Sequence, residues 1–164
     1  MKKTEYRGLG MGACPHRHQM CVGVIYSRLI DKLPAKYRVN FLIDSTVTEV
    51  KWQEGEKRVR PDISFYANVK AVKDEVEHSD LLFVIEIVRC GGESYSIDRI
   101  EELFEKSKTL REAFLYNYEK NEWVRYSREV KKGVVDDYST VFEFRLGSIG
   151  DSCFSPKSTS YPLK

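Results

Sequence analysis

Residues 80–88 read DLLFVIEIV and residues 58–66 read RVRPDISFY. In the first stretch Leu81, Leu82, Phe83, Val84 and Ile85 lead into Glu86, and Ile87 and Val88 follow it. A continuous apolar run of this length, broken by one carboxylate, is the pattern of a buried strand carrying an acid. An ionised acid in such a place is costly unless its charge is offset. The offsets are a basic partner, a retained proton or a metal ion, and a second acid, Asp62, on the neighbouring strand-like run favours the metal. These two residues are the first place to look for function.

The stretches flanking this pair supply the rest of a mixed order. Upstream, Met20, Val24, Ile25, Leu29 and Leu33 mark one helix face between Pro15 and Leu33, and Pro34 ends it. YRVNFLIDSTVTEVKW, rich in β-branched and aromatic residues, is expected to form a hairpin with KRVRPDISFY through a turn at Gln53–Glu56 around Gly55. The charged segment from Lys70 to Asp80 reads as a connecting loop or short helix. Downstream, Gly91 and Gly92 break the chain, Ser96 is expected to cap a helix with Asp98 in its first turn, and Ile97, Ile100, Leu103, Phe104 and Leu110 form its stripe. FLYNY, a polar EKNE turn and WVRY make a hairpin, and STVFEFRL makes one more strand. The aromatic set Phe114, Tyr116, Tyr118, Trp123 and Tyr126 alternates as packed cross-strand partners do.

This order predicts an α/β fold built around one sheet. At 164 residues the chain suits a single domain, expected over 1–146, followed by a Gly-, Ser- and Pro-rich flexible tail over 147–164. Apolar residues at 41% and charged residues at 32% are ordinary for a soluble globular protein. No run is long enough to cross a bilayer and the start lacks a secretory h-region, so no membrane association and a cytoplasmic location are expected. With 27 basic against 25 acidic side chains, the formal charge of +2 excludes a strong overall positive field, and any nucleic-acid surface must be a local patch. Cys14, Cys21, Cys90 and Cys153 lack the paired spacing of a disulfide framework and read as reduced thiols. Cys14, His16, His18 and Cys21 match no standard zinc site, because residues on one helical turn cannot all converge on a tetrahedral ion.

Magnesium takes oxygen ligands in near-octahedral geometry and keeps several waters, so two carboxylates and a carbonyl suffice as protein ligands. Pro61-Asp62 resembles the PD half of the PD-(D/E)xK nuclease motif, and Glu86-Ile87-Val88 resembles its (D/E)xK half. The chain from Pro15 to Tyr126 is similar to that superfamily, and most similar to its bacterial "putative restriction endonuclease" family. A Pro/His-containing first helix, CPHRHQMCVGVIYSRLIDKL, precedes strands, the PD, the acidic strand, a helix and the aromatic strand EAFLYNY. The resemblance implies a restriction-endonuclease-like fold, a mixed central β-sheet flanked by helices. It also implies a magnesium-dependent endonuclease acting on nucleic acid, with DNA as substrate, Mn²⁺ as a substitute metal, and a possible homodimer for cutting two strands. Asp62 and Glu86 would be metal ligands and catalytic, with the Ile87 carbonyl as a third ligand, and His18 would sit at the mouth of the site.

The chain departs from the pattern at the lysine, whose position is held by Val88. Some relatives move that lysine to the following helix, which here offers Lys106 and Lys108 as catalytic candidates. With Ile100 at the centre of the buried stripe, at about 100° per residue, the two fall on opposite borders of it, and Glu101 on the side of Lys108 favours Lys108. The competing reading of each acid is a structural ion pair, Asp62 with Arg58 or Arg60 and Glu86 with Arg89 or Arg99. The departure at Val88 also raises an alternative function, a nuclease fold without chemistry that serves as a binding or regulatory module.

Overall fold

In the computed structural model the residues described are 15–47, 50–73 and 75–150. Helix α1 spans Pro15–Lys32. A 3-10 helix, Ala35–Asn40, leads into strand β1, Phe41–Ile43. Strands β2 (Ile63–Val72) and β3 (Glu75–Val88) follow, then helix α2 (Glu93–Lys106) and strands β4 (Glu112–Asn117), β5 (Glu122–Ser127) and β6 (Val130–Val135). Two short strands, β7 (Tyr138–Ser139) and β8 (Phe144–Arg145), and one helical turn, α3 (Gly147–Gly150), complete the described chain.

The strands β1 to β6 form one sheet in sequence order. Neighbours are antiparallel except β3 and β4, which are parallel, with Phe83 opposite Glu112 and Val88 opposite Asn117. A parallel pair cannot be joined by a hairpin, and α2 is the crossover that this pairing requires. The turn into α2 passes through Gly91 at φ +87°, a left-handed conformation that glycine adopts without strain.

Alternation along β3 sends its side chains to two different cores. Ile85 and Ile87 meet Cys21, Val22, Ile25 and Leu29 of α1, together with Phe65, Phe83, Phe114 and Trp123. Val84 and Val88 meet Ile100 and Leu103 of α2, with Leu110, Leu115 and the loop residues Val47, Val50 and Val59. Burial on both faces explains why this strand reads as continuously apolar. Each fully buried Leu, Ile or Phe here contributes roughly 1.5–3 kcal/mol relative to an exposed one. The aromatic residues of β4 and β5 pack as their alternation predicts: Tyr116 lies opposite Trp123, with ring centroids 4.4 Å apart.

Four local expectations are corrected. The Lys70–Asp80 segment is neither loop nor helix: β2 and β3 continue through it as a hairpin, with Lys70 opposite Glu77 and Val72 opposite Glu75. The hairpin expected between residues 37 and 66 shrinks to the pairing of Phe41–Ile43 with Ile63–Phe65, because Val47, Val50 and Val59 are drawn into the α2-side core instead of a ladder. Its turn at Gln53–Glu56 is present, closed by a bond from the Glu56 N–H to the Gln53 carbonyl. Ser96 does not cap α2, which starts at Glu93 after Gly92. STVFEFRL divides into β7 and β8, whose partners include each other, and β6 was not anticipated.

Residues 147–150, which the composition assigns to a tail, belong to the folded chain. Ile149 is fully buried against the α1-side core, and Arg28 of α1 donates a bond to its carbonyl. Residues 151–164, with Cys153, lie outside the described residues, as does Cys14. Among the described residues no helix is long and apolar enough to cross a membrane.

Candidate active site

The antiparallel pairing of Ile63 with Ile85 brings the entry of β2 beside the end of β3. Asp62, one residue before β2, therefore faces the residues around Glu86. Its Oδ2 accepts a 2.7 Å bond from the Ile87 N–H, and its carbonyl accepts one from the Asp44 N–H. His18, in the first turns of α1, places Nε2 3.2 Å from the same Oδ2. Asp62 is thus held by a backbone donor and an imidazole, and the alternative pairing with Arg58 or Arg60 is not what fixes it. Arg60 instead donates to the carbonyl of Asp44 at 2.8 Å.

Glu86 is 1% exposed and faces α2. Its Oε2 lies 3.2 Å from Nη1 of Arg99, while its Oε1 is buried with no hydrogen-bond partner. Burial pushes its pKa well above the usual carboxylate range, and the charge of Asp62 pushes the same way; Arg99 and a hydrogen bond from Ser96 pull it down. The carboxylates are close enough to feel each other. The His18 pKa is raised by its hydrogen bond to Asp62, against the opposing effect of burial.

Arg99 is the cation that this site holds. Besides Glu86 it reaches the carbonyl of Arg60, and its guanidinium lies 5.6 Å from the ring centre of Tyr95. Ser96 and Arg99 stand three residues apart on α2 and so share the face that meets Glu86. The pairing of Glu86 with a basic residue, weighed in the sequence as a structural alternative, is therefore present, and Arg99 is the partner.

The structure does not bring Lys106 or Lys108 to the acids. Lys106 pairs with Glu56 and lies over the ring of Trp52, at the last turn of α2. At 1.5 Å per residue that turn is about 10 Å beyond Arg99 along the axis. Lys108 follows the end of the helix and is exposed. Val88, at the motif-lysine position, packs in the α2-side core as its register on the strand requires. Ile87, expected to lend a carbonyl, contributes its N–H to Asp62.

Among the described residues no group of three or more His, Cys, Asp or Glu side chains is arranged to hold a metal ion. The zinc alternative has no support in what is described, since His18 serves Asp62 and Cys21 is buried in the α1-side core. An oxygen-seeking dication nevertheless fits the acid pair. Two carboxylates meet the protein share of a magnesium site whose other ligands are waters, and the partnerless Oε1 of Glu86 is a buried acceptor in need of a cation.

No protein-family model matches the chain, and no curated protein matches it. Among solved structures it is similar to the crystal structure of a "putative nuclease belonging to DUF820" from Anabaena variabilis ATCC 29413. The TM-score is 0.57 at 15% identity, over 89% of this chain and 84% of the other. The chain thus has a mixed α/β fold with a six-stranded central sheet flanked by helices, shared with that protein.

Proposed function

We propose that this chain is a divalent-metal-dependent nuclease of the PD-(D/E)xK type, hydrolysing phosphodiester bonds in DNA. The observation that carries the reading is the acid pair itself: Asp62 at the entry of β2 and Glu86 on the adjacent β3, the latter buried with an oxygen that has no hydrogen-bond partner. The likeness in fold to a protein described as a nuclease supports it.

Asp62 and Glu86 would hold Mg²⁺, which when bound supplies a Lewis acid for the phosphate and an acidified water. The protein's own contribution is placement. His18 and the Ile87 N–H fix the Asp62 carboxylate in one orientation. Burial of Glu86 keeps bulk water from competing for its oxygens. Arg99 supplies the positive charge that Val88 cannot, on the α2 side of the acids.

Calorimetric titration of Mn²⁺, together with nicking of supercoiled plasmid, tests the reading in wild type and in Asp62→Ala. Metal binding and cleavage in the wild type, both lost in a variant that keeps its melting curve, is the expected result. Cleavage that persists in Asp62→Ala overturns it. The pairing of Arg99 with Glu86 favours a second reading, a nuclease fold that has exchanged its metal for a guanidinium and only binds; DNA binding by a wild type that takes up no Mn²⁺ is the result that reading expects.

A further inference from the structure

We propose that Arg99 is a displaceable counter-ion, which neutralises Glu86 in the resting protein and passes to a phosphate of the nucleic-acid substrate when a divalent cation enters. This rests on the reading of the acid pair as a metal site and adds how that site is controlled.

A buried carboxylate that is ionised needs a cation beside it, because its charge is not tolerated alone. In this structure that cation is Arg99, yet the pair is incomplete. Guanidinium and carboxylate are suited to two parallel bonds. Here only Oε2 is engaged, at 3.2 Å, and Oε1 has no partner. The second amino group of Arg99 is directed away, to the carbonyl of Arg60. The contact is therefore one that a better ligand can replace.

A dication at the acid pair cannot share this place with a guanidinium, since like charges at contact distance repel strongly. Arg99 has somewhere to go. Its side chain is 15% exposed, and it already leans on the ring of Tyr95. Lys57 lies over the same ring at 4.9 Å, so Tyr95 carries two cations. Arg60, on the loop that bears Lys57, has its guanidinium turned to Asp44 and is not part of this group. Withdrawn from Glu86, the Arg99 guanidinium would join Lys57 in a cationic group beside the acids, the arrangement that a phosphodiester anion balances. Cation and substrate would then assist each other, each tightening the other by the same factor.

Calorimetry with Mn²⁺ alone on wild type, Arg99→Gln, Tyr95→Ala and Asp62→Ala, with and without a short phosphorothioate DNA, tests this. Arg99→Gln is expected to bind Mn²⁺ about tenfold or more tightly than wild type, since a competing charge is removed. Tyr95→Ala keeps the charge and removes the ring that receives the withdrawn guanidinium, and Mn²⁺ binding weaker by about threefold is expected, the size of a weak cation–aromatic contact. The DNA should tighten Mn²⁺ binding by wild type and leave that of Arg99→Gln nearly unchanged. If Arg99→Gln binds Mn²⁺ no tighter than wild type and Tyr95→Ala binds it no more weakly, while Asp62→Ala still abolishes binding, Arg99 is not a gate and the metal site stands. If neither wild type nor the two variants bind Mn²⁺, with or without DNA, both readings fall. Should Arg99→Gln not fold, Tyr95→Ala decides.

Discussion

The Nε2 atom of His18 lies 3.2 Å from Oδ2 of Asp62, joining the start of the first helix to the acid at the entry of β2. The imidazole pKa is raised above its ordinary 6.5, chiefly by that hydrogen bond. A raised folded-state pKa stabilises the protein fully below 6.5, and the gain is lost as pH rises through the folded value. His18→Gln is therefore expected to cost about 1–2 kcal/mol at pH near 6, and less at pH above neutrality. Urea denaturation at several pH values measures this; a cost that is flat with pH would show that the imidazolium is not what holds Asp62.

Glu86 carries a linkage of the same sign. Its folded pKa lies above the ordinary 4.5, so its favourable contribution is whole below 4.5 and disappears as pH rises through the raised value. Glu86→Gln cannot ionise. Relative to wild type, the variant should gain stability across that window and then keep a constant difference. Melting temperatures of the two proteins from acid to mildly alkaline pH provide the comparison, and parallel curves would contradict a buried, titrating Glu86.

Lys106 and Lys108 should be dispensable for cleavage. Lys106 is engaged with Glu56, Glu102 and Trp52, and Lys108 is exposed past the helix end. Lys106→Ala and Lys108→Ala are expected to retain plasmid nicking within about twofold, whereas Arg99→Ala should lose roughly a hundredfold, as removal of a charge-stabilising group does. A loss of that size in either lysine variant would return the motif-lysine role to α2's far end.

Glu112 offers a stability test away from the acids. It is 1% exposed on β4, and its carboxylate accepts bonds from the Ser139 hydroxyl, the Thr140 N–H and hydroxyl, and the Val141 N–H. Removing it leaves those donors unsatisfied. Glu112→Ala is expected to lower stability by about 3–4 kcal/mol, the upper range for loss of a buried network. A shift in urea midpoint at unchanged slope would report it; a change under 1 kcal/mol, by order of magnitude, would mean water replaces the carboxylate.

The parts of the fold legible in the sequence are those where periodicity and burial agree. α1, α2, β3 and the β4–β5 pair each bury a regular set of side chains and all are present, though α2 lies earlier, over Glu93–Lys106, and β3 starts at Glu75 instead of Leu81. β6, VKKGVV, was hidden by its lysines and glycine, because an edge strand needs few apolar contacts. Its Gly133 is required by space: a Cβ there would stand 2.6 Å from the Tyr126 ring.

The site divides in the same way. A carboxylate inside an apolar run is conspicuous, which makes Glu86, with Asp62 on the neighbouring run, legible as a candidate from the residues alone. Arg99 is one of two basic partners the sequence offers for Glu86, and choosing it over Arg89 depends on which face of α2 meets β3. The resemblance directs attention to Lys106 and Lys108, whereas the face of α2 that meets β3 sets Ser96 and Arg99 over Glu86. His18 depends on a packing of α1 that nothing local in the chain specifies.

Beyond Phe65 on β2 and before Phe83 on β3, the hairpin runs on with no third strand beside it among the described residues. Apart from the Tyr66 and Ala67 carbonyls taken by Asn40 and the Leu82 carbonyl taken by the Arg111 N–H, these two edges have no strand beside them, a template on which another chain could assemble an intermolecular ladder. Val72 and Val76 on this ribbon are largely exposed, which would strengthen that tendency. Lys70, Lys73, Glu75 and Glu77 counter it, since pairing with a foreign strand would bury their charges. The charges that make this segment read as a loop are thus its protection against aggregation.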